Sequence, residues 1–137
     1  MKISYRKIIF WVLVIVVIAV VLVRPGTHIQ YDYRVETISN KCTFDESPEQ
    51  DNRAVSNSIV IIMPIQTPTP CYEVEGKVSS VGTDLIVDLD VKEKGEVCVE
   101  CVGITVARVT ISNLDKGTYG LQVNTPDKAI ITTIMIE

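Results

Sequence analysis

The chain has 137 residues, with 13 basic and 17 acidic side chains and a net charge of −4. All 13 basic residues but Lys2, Arg6 and Lys7 follow the first long apolar run, so the part from Arg24 onward carries ten bases against seventeen acids, a net −7. An acidic surface of this kind excludes nucleic acid and electrostatic adhesion to anionic lipid headgroups as ligands.

Ile8 to Val23 is sixteen apolar residues without a charge. As a helix it spans roughly 24 Å, a little short of a bilayer core of roughly 30 Å. Tyr5 and Trp11 suit the interface at one end, and Arg24 can snorkel at the other. β-Branched Val and Ile are mediocre helix formers in water, but in lipid an unpaired amide costs far more than restricted rotamers. Basic residues before the run and one after it place the N-terminus in the cytoplasm. A cleaved signal peptide is the competing reading, yet IAVVLVRPG offers no small-residue cleavage site. The expected organisation is a cytoplasmic basic stretch (1–7), a transmembrane signal-anchor helix (8–24), a short linker (25–28) and an extracytoplasmic domain (29–137).

The exported part reads as strands. Ile29, Tyr31, Tyr33 and Val35 alternate with polar residues, a period of two. Ser39 to Ser58 breaks the pattern and is read as one long loop. Its acids Asp45, Glu46, Glu49 and Asp51 lack the spacing of a calcium loop, which favours a solvated surface. Ile59 to Ile65 is continuously apolar, the pattern of a strand buried on both sides, and Pro64 followed by QTPTP is expected to end it.

Tyr72, Val74 and Val78, then Leu85, Val87, Leu89 and Val91, alternate with polar residues on either side of the turn Val81–Asp84. This predicts an antiparallel hairpin with one acidic face in water. Asp88 and Asp90 are outward positions two apart, which explains their pairing without catalysis. Val97 to Val102 also has a strand pattern. Gly103 is expected at a bend or bulge, and the phase change across Ala107–Arg108 suggests another bulge. Ala129 to Ile136 is a last strand, apolar on both parities.

Seven or eight strands in about 110 residues predict an all-β antiparallel sandwich behind one N-terminal transmembrane helix, with a small closed barrel as the alternative. The stretch from Val109 to Asn124 resembles the E–F corner of immunoglobulin-like and fibronectin-type sandwiches. In that resemblance Leu114 drops into the core, Gly117 belongs to the turn and Tyr119 bonds back to nearby backbone.

Four cysteines on the exported side read first as two disulfides. Cys98 and Cys101 form a CxxC. As a redox pair it would be expected to open a helix, and as half of a zinc site it would need Cys42 and Cys71 as the other ligands. If the segment is extended, residues three apart lie about 10 Å from each other, beyond the roughly 4.4–6.8 Å a disulfide tolerates. Cys98 and Cys101 would then take different partners, Cys42 and Cys71 in one order or the other.

The order TPCY (Thr69–Tyr72), Val97-Cys98, L-x-x-GTY and Val123-Asn124, over residues 59–124, resembles a pattern in small exported bacterial and archaeal β-sandwich proteins without an assigned activity. The resemblance implies a bridge between Cys71 and Cys98, and leaves Cys42 for Cys101. No catalytic motif, cofactor site or metal site is argued, and His28 reads as an exposed linker residue.

The leading functional expectation is a non-catalytic accessory or binding module, held in the cell membrane through residues 8–24 and contacting another membrane or cell-envelope protein. A loop-based inhibitor of an extracytoplasmic hydrolase is one alternative. A thiol-redox or metal-binding protein using Cys98 and Cys101 is the other. The Ser39–Ser58 loop and the QTPTP segment are the expected contact surfaces.

Overall fold

A computed structural model describes residues 29–43, 49–95 and 97–137. The expected anchor (8–24), the linker with His28, and Asp45 and Glu46 lie outside the described residues. Among the described residues, none forms a helix long and apolar enough to cross a membrane.

Eight strands account for most of what is described: β1 (Asp32–Cys42), β2 (Asp51–Val55), β3 (Ser58–Thr67), β4 (Tyr72–Val81), β5 (Asp84–Glu93), β6 (Gly103–Ser112), β7 (Gly117–Asn124) and β8 (Ala129–Ile136). They form two four-stranded sheets, β1-β6-β3-β2 and β4-β5-β7-β8. The alternating residues predicted to face inward in β4, β5 and β7 are buried or half-buried, whereas Tyr33 of β1, expected on the same face as Tyr31 and Val35, is exposed. Ile59, Ile61, Met63 and Ile65 of β3 pack with Ala107, Val109 and Ile111 of β6 in one layer. Leu85 and Val87 of β5 and Leu121 and Val123 of β7 face them from the other. Full burial of such side chains stabilises by roughly 1.5–3 kcal/mol each, which makes this the dominant favourable contribution to folding.

Several local expectations are corrected. β3 does not stop at Pro64 but runs on to Thr67. The β2 ladder reaches only to Ile62, so at Pro64 the strand has a neighbour on one side alone, where a missing N–H is tolerated. β3 is also not buried on both faces. Ile59, Ile61, Met63 and Ile65 are fully buried, whereas Val60, Ile62 and Pro64 are half-buried.

The expected loop 39–58 shrinks, because β1 continues through Cys42 and β2 forms from Asp51 to Val55. Asp51 there pairs with Arg53 at 3.6 Å. The irregularity expected in β6 belongs to β1. The register passes from Thr37 opposite Ala107 to Ser39 opposite Val106, so the extra residue is Ile38.

The β4–β5 hairpin forms as predicted. The sandwich is not wholly antiparallel, however: β5 and β7 run parallel, with Leu85 opposite Leu121 and Val87 opposite Val123. The connection between them crosses to the other sheet as β6, which reverses direction once and returns β7 alongside β5.

The sheets are joined along the β1–β4 side. Val74 N–H donates to Thr37 Oγ1 at 2.8 Å, and Tyr31 Oη–H donates to the Val78 carbonyl at 3.0 Å. Ile29 and Tyr31, ahead of β1, pack on the core. The corner between β6 and β7 is closed by Tyr119, whose hydroxyl donates to the Asp115 carbonyl at 2.9 Å. Leu114 is buried beside it, and its N–H donates to the Asn57 carbonyl at 3.1 Å.

Candidate functional site: the cross-linked loop

The four cysteines meet at one end of the sandwich. Cys42 closes β1 and Cys71 immediately precedes β4, so the two lie in different sheets. The β5–β6 connection, from Lys94 to Val102, passes between them. Cys42 is bonded to Cys101 with Cα atoms 5.8 Å apart, and Cys71 to Cys98 with Cα atoms 5.9 Å apart. These are the pairs implied by the resemblance noted above, and both separations suit a disulfide.

The described residues between Lys94 and Val102 do not form a strand, contrary to the pattern read from their sequence. Cys101 N–H donates to the Val99 carbonyl at 3.0 Å, which folds the chain tightly around Glu100. The premise of extended geometry therefore fails. Even so, Cys98 and Cys101 take different partners, each fastening the loop to a different sheet.

Backbone bonds seat the loop at both ends. Lys94 N–H donates to the Cys71 carbonyl at 3.0 Å, and Thr43 N–H donates to the Val102 carbonyl at 2.9 Å. Gly103 then enters β6 opposite both Cys42 and Thr67. A Cβ at this position would overlap the Thr69 carbonyl and the backbone nitrogen of Pro70, so a close approach of main chains, rather than a bulge, requires glycine here.

The neighbouring turn, Thr67 to Cys71, is organised from below. Thr67 Oγ1 donates to the Thr69 carbonyl at 2.7 Å and lies 3.4 Å from Thr105 Oγ1, both threonines being buried. Buried hydroxyls with partners like these hold a turn in one conformation.

On this rigid support the loop turns apolar side chains outward. Val97 is 106% exposed, Val99 69% and Val102 45%. Sequence reading missed these residues as a surface, because their alternation resembles a strand. The signal that identifies them is the cysteine spacing: Cys98 and Cys101, bonded outward to two sheets, leave no inward face for the valines beside them.

The other sequence candidates lie elsewhere. Asp88 and Asp90 are exposed on the outer face of β5. Asp88 accepts from Asn124 Nδ2 at 2.7 Å, and Asp90 accepts from Val91 N–H at 2.8 Å. β7 ends at Asn124, level with Asp88, so beyond it β5 is paired with β4 alone and a shallow groove remains, bordered by Glu75, Lys77, Asp90 and Pro126. The cysteine sulfurs are bonded to one another, which takes them out of metal ligation in this state. Of the QTPTP segment, Pro68 is exposed and Thr69 and Pro70 are half-buried beside the cross-linked loop.

No family, no curated protein and no solved structure matches this chain.

Proposed function

We propose that the protein is a non-catalytic binding module that docks a membrane or cell-envelope protein through the cross-linked loop. The single observation that carries this reading is the exposure of Val97, Val99 and Val102 on a loop fastened by two disulfides to two different sheets. Apolar side chains clustered in water are unfavourable for a free domain and favourable for one that buries them in a partner. A pre-ordered loop also loses little conformational entropy when it binds.

The module is immunoglobulin-like and membrane-anchored in this reading. The Tyr119 corner supports the first, with the parallel β5–β7 pair as its departure from an all-antiparallel sandwich. The second rests on the apolar run 8–23 and its basic flank. Two disulfides agree with an oxidising, extracytoplasmic compartment.

A hydrolase inhibitor would use the same clamp, since fixing a loop is how such inhibitors resist turnover. A protease cleft, however, takes an extended segment by strand addition. The Val99 carbonyl instead accepts Cys101 N–H within a tight turn. This geometry favours docking of apolar side chains over insertion of backbone.

A photo-crosslinking residue placed at Val99, compared with one at Ser79 on the outer face of β4, tests the proposal in native membranes. Docking through the loop predicts an adduct of one defined size from position 99 and none from 79. Equal labelling from both positions, or none from 99, contradicts it. Inhibition of a protease by the purified protein would instead select the inhibitor reading.

A further inference from the structure

Each sheet has two edges, and three of the four are protected against pairing with another strand. β1 carries Asp32, Arg34, Glu36 and Lys41 and a register shift at Ile38. β2 is five residues long with Asp51 and Arg53 within it. β4 carries Glu73, Glu75 and Lys77, and Thr37 of β1 and Tyr31 just ahead of it engage its Val74 N–H and Val78 carbonyl. Short length, charge, bulges and cover are the usual means by which edges are kept from associating.

β8 has none of these. Its sequence, AIITTIMI, contains no charge and no proline, and its ladder with β7 runs from Ala129 to Ile136 without a shift. Among the described residues, no hydrogen bond reaches its outer edge from any side chain or loop. β2 approaches it from the other layer but forms no ladder with it. Ile131 and Met135 point outward from the strand and are 78% and 59% exposed.

We propose that β8 pairs antiparallel with β8 of a second copy of this chain, joining two four-stranded sheets into one of eight strands. The strand is complementary to itself in one register. With Thr133 opposite Thr133 on the two-fold axis, Ile131 of each copy faces Met135 of the other on the outer surface. Ile130 faces Ile136 on the core side. A shift of two residues either way puts the outward pair opposite threonine, alanine or Glu137 instead.

Cross-strand apolar pairs and threonine pairs are favourable, and a side-chain period of two makes register costly to change. Such a contact is isologous and closes at two copies, so it satisfies the edge without propagating into fibres. Because the axis runs normal to the sheet, two copies anchored in one membrane would lie with their strands along its surface, leaving both cross-linked loops at the periphery.

Full-length protein in detergent micelles provides the test. Thr133→Cys should give a reductant-sensitive covalent dimer on mild oxidation, since residues opposite each other in a ladder have Cα atoms about 4.5–5.5 Å apart. Gln122→Cys, one strand further in, should not. Sedimentation should show the wild type as a dimer. Ile131→Lys with Met135→Lys, which sets like charges opposite each other, should weaken association about tenfold or more while the circular dichroism stays unchanged.

A monomeric wild type without a Thr133→Cys dimer overturns the proposal, as does a dimer that survives the double lysine variant. A Thr133→Cys adduct in native membranes that contains a different protein also overturns it, by giving the edge to a foreign strand.

Discussion

The Val74 backbone N–H donates to the Thr37 hydroxyl, 2.8 Å away, and so ties the edge of one sheet to the edge of the other. Thr37 stands where β1 shifts register, which turns its side chain off the β6 ladder and toward β4. Thr37→Val keeps the shape and leaves the Val74 N–H without its acceptor. The expected cost is about 1–3 kcal/mol, read as a lower urea midpoint at unchanged slope, with Thr37→Ser recovering most of it.

Tyr119 links a hydrogen bond to a pH dependence. Burial raises the phenol's pKa above its ordinary value, and the Asp115 carboxylate raises it further. The folded state therefore holds this proton more tightly than the unfolded chain does. Its contribution is complete below about pH 10 and declines as pH rises through the raised value. Tyr119→Phe should cost about 1 kcal/mol at neutral pH, and should flatten the alkaline decline in stability measured by denaturant titration.

The two bridges differ in the lengths of chain they close. Cys42–Cys101 spans 59 residues and Cys71–Cys98 spans 27. Restriction of the unfolded chain alone gives contributions of about 4 and about 3.5 kcal/mol. Paired replacement of Cys42 and Cys101 by serine should therefore lower stability at least as much as replacement of Cys71 and Cys98. Non-reducing peptide mapping of the wild type should recover these two links and no link between Cys98 and Cys101.

Gly103→Ala examines whether the turn and the loop are built as one unit. The added methyl group would press on the Thr69–Pro70 backbone, which has no flexible side chain to give way. A loss of about 1–3 kcal/mol is expected, with faster hydrogen exchange at Lys94 and Thr43, whose amides bond across the same junction.

Much of the core was legible in the sequence because strand periodicity reports a one-sided environment directly. Leu85, Val87, Leu121 and Val123 alternate in the text and line one face of the sheet. Ile59 to Ile65 misled because an apolar run does not reveal how far the neighbouring strand extends. The β2 ladder ends at the pair Asp51–Ile62, which leaves Pro64 with β6 as its one neighbour, and the outer face is half-buried along the whole run, beside β2 as well as beyond it.

The parallel alignment of β5 and β7 is not encoded in either strand, since it follows from β6 crossing to the other sheet. In the candidate site, the cysteines were visible as chemistry but the loop was not. Val97, Val99 and Val102 alternate as a strand would, and the disulfides hold them in a shape that periodicity does not anticipate.

If the loop docks a partner as proposed, Val97, Val99 and Val102 serve binding and do not hold the fold. The most direct measurement isolates full-length wild type and a Val97→Ser, Val99→Ser, Val102→Ser variant from native membranes and compares the co-isolated protein, alongside their urea unfolding. Exposed residues of this kind contribute within about 0.5 kcal/mol to stability, so the two unfolding curves should nearly coincide while the partner is lost from the variant. A variant that keeps the same partner, or one that loses it only because the domain has unfolded, contradicts the claim.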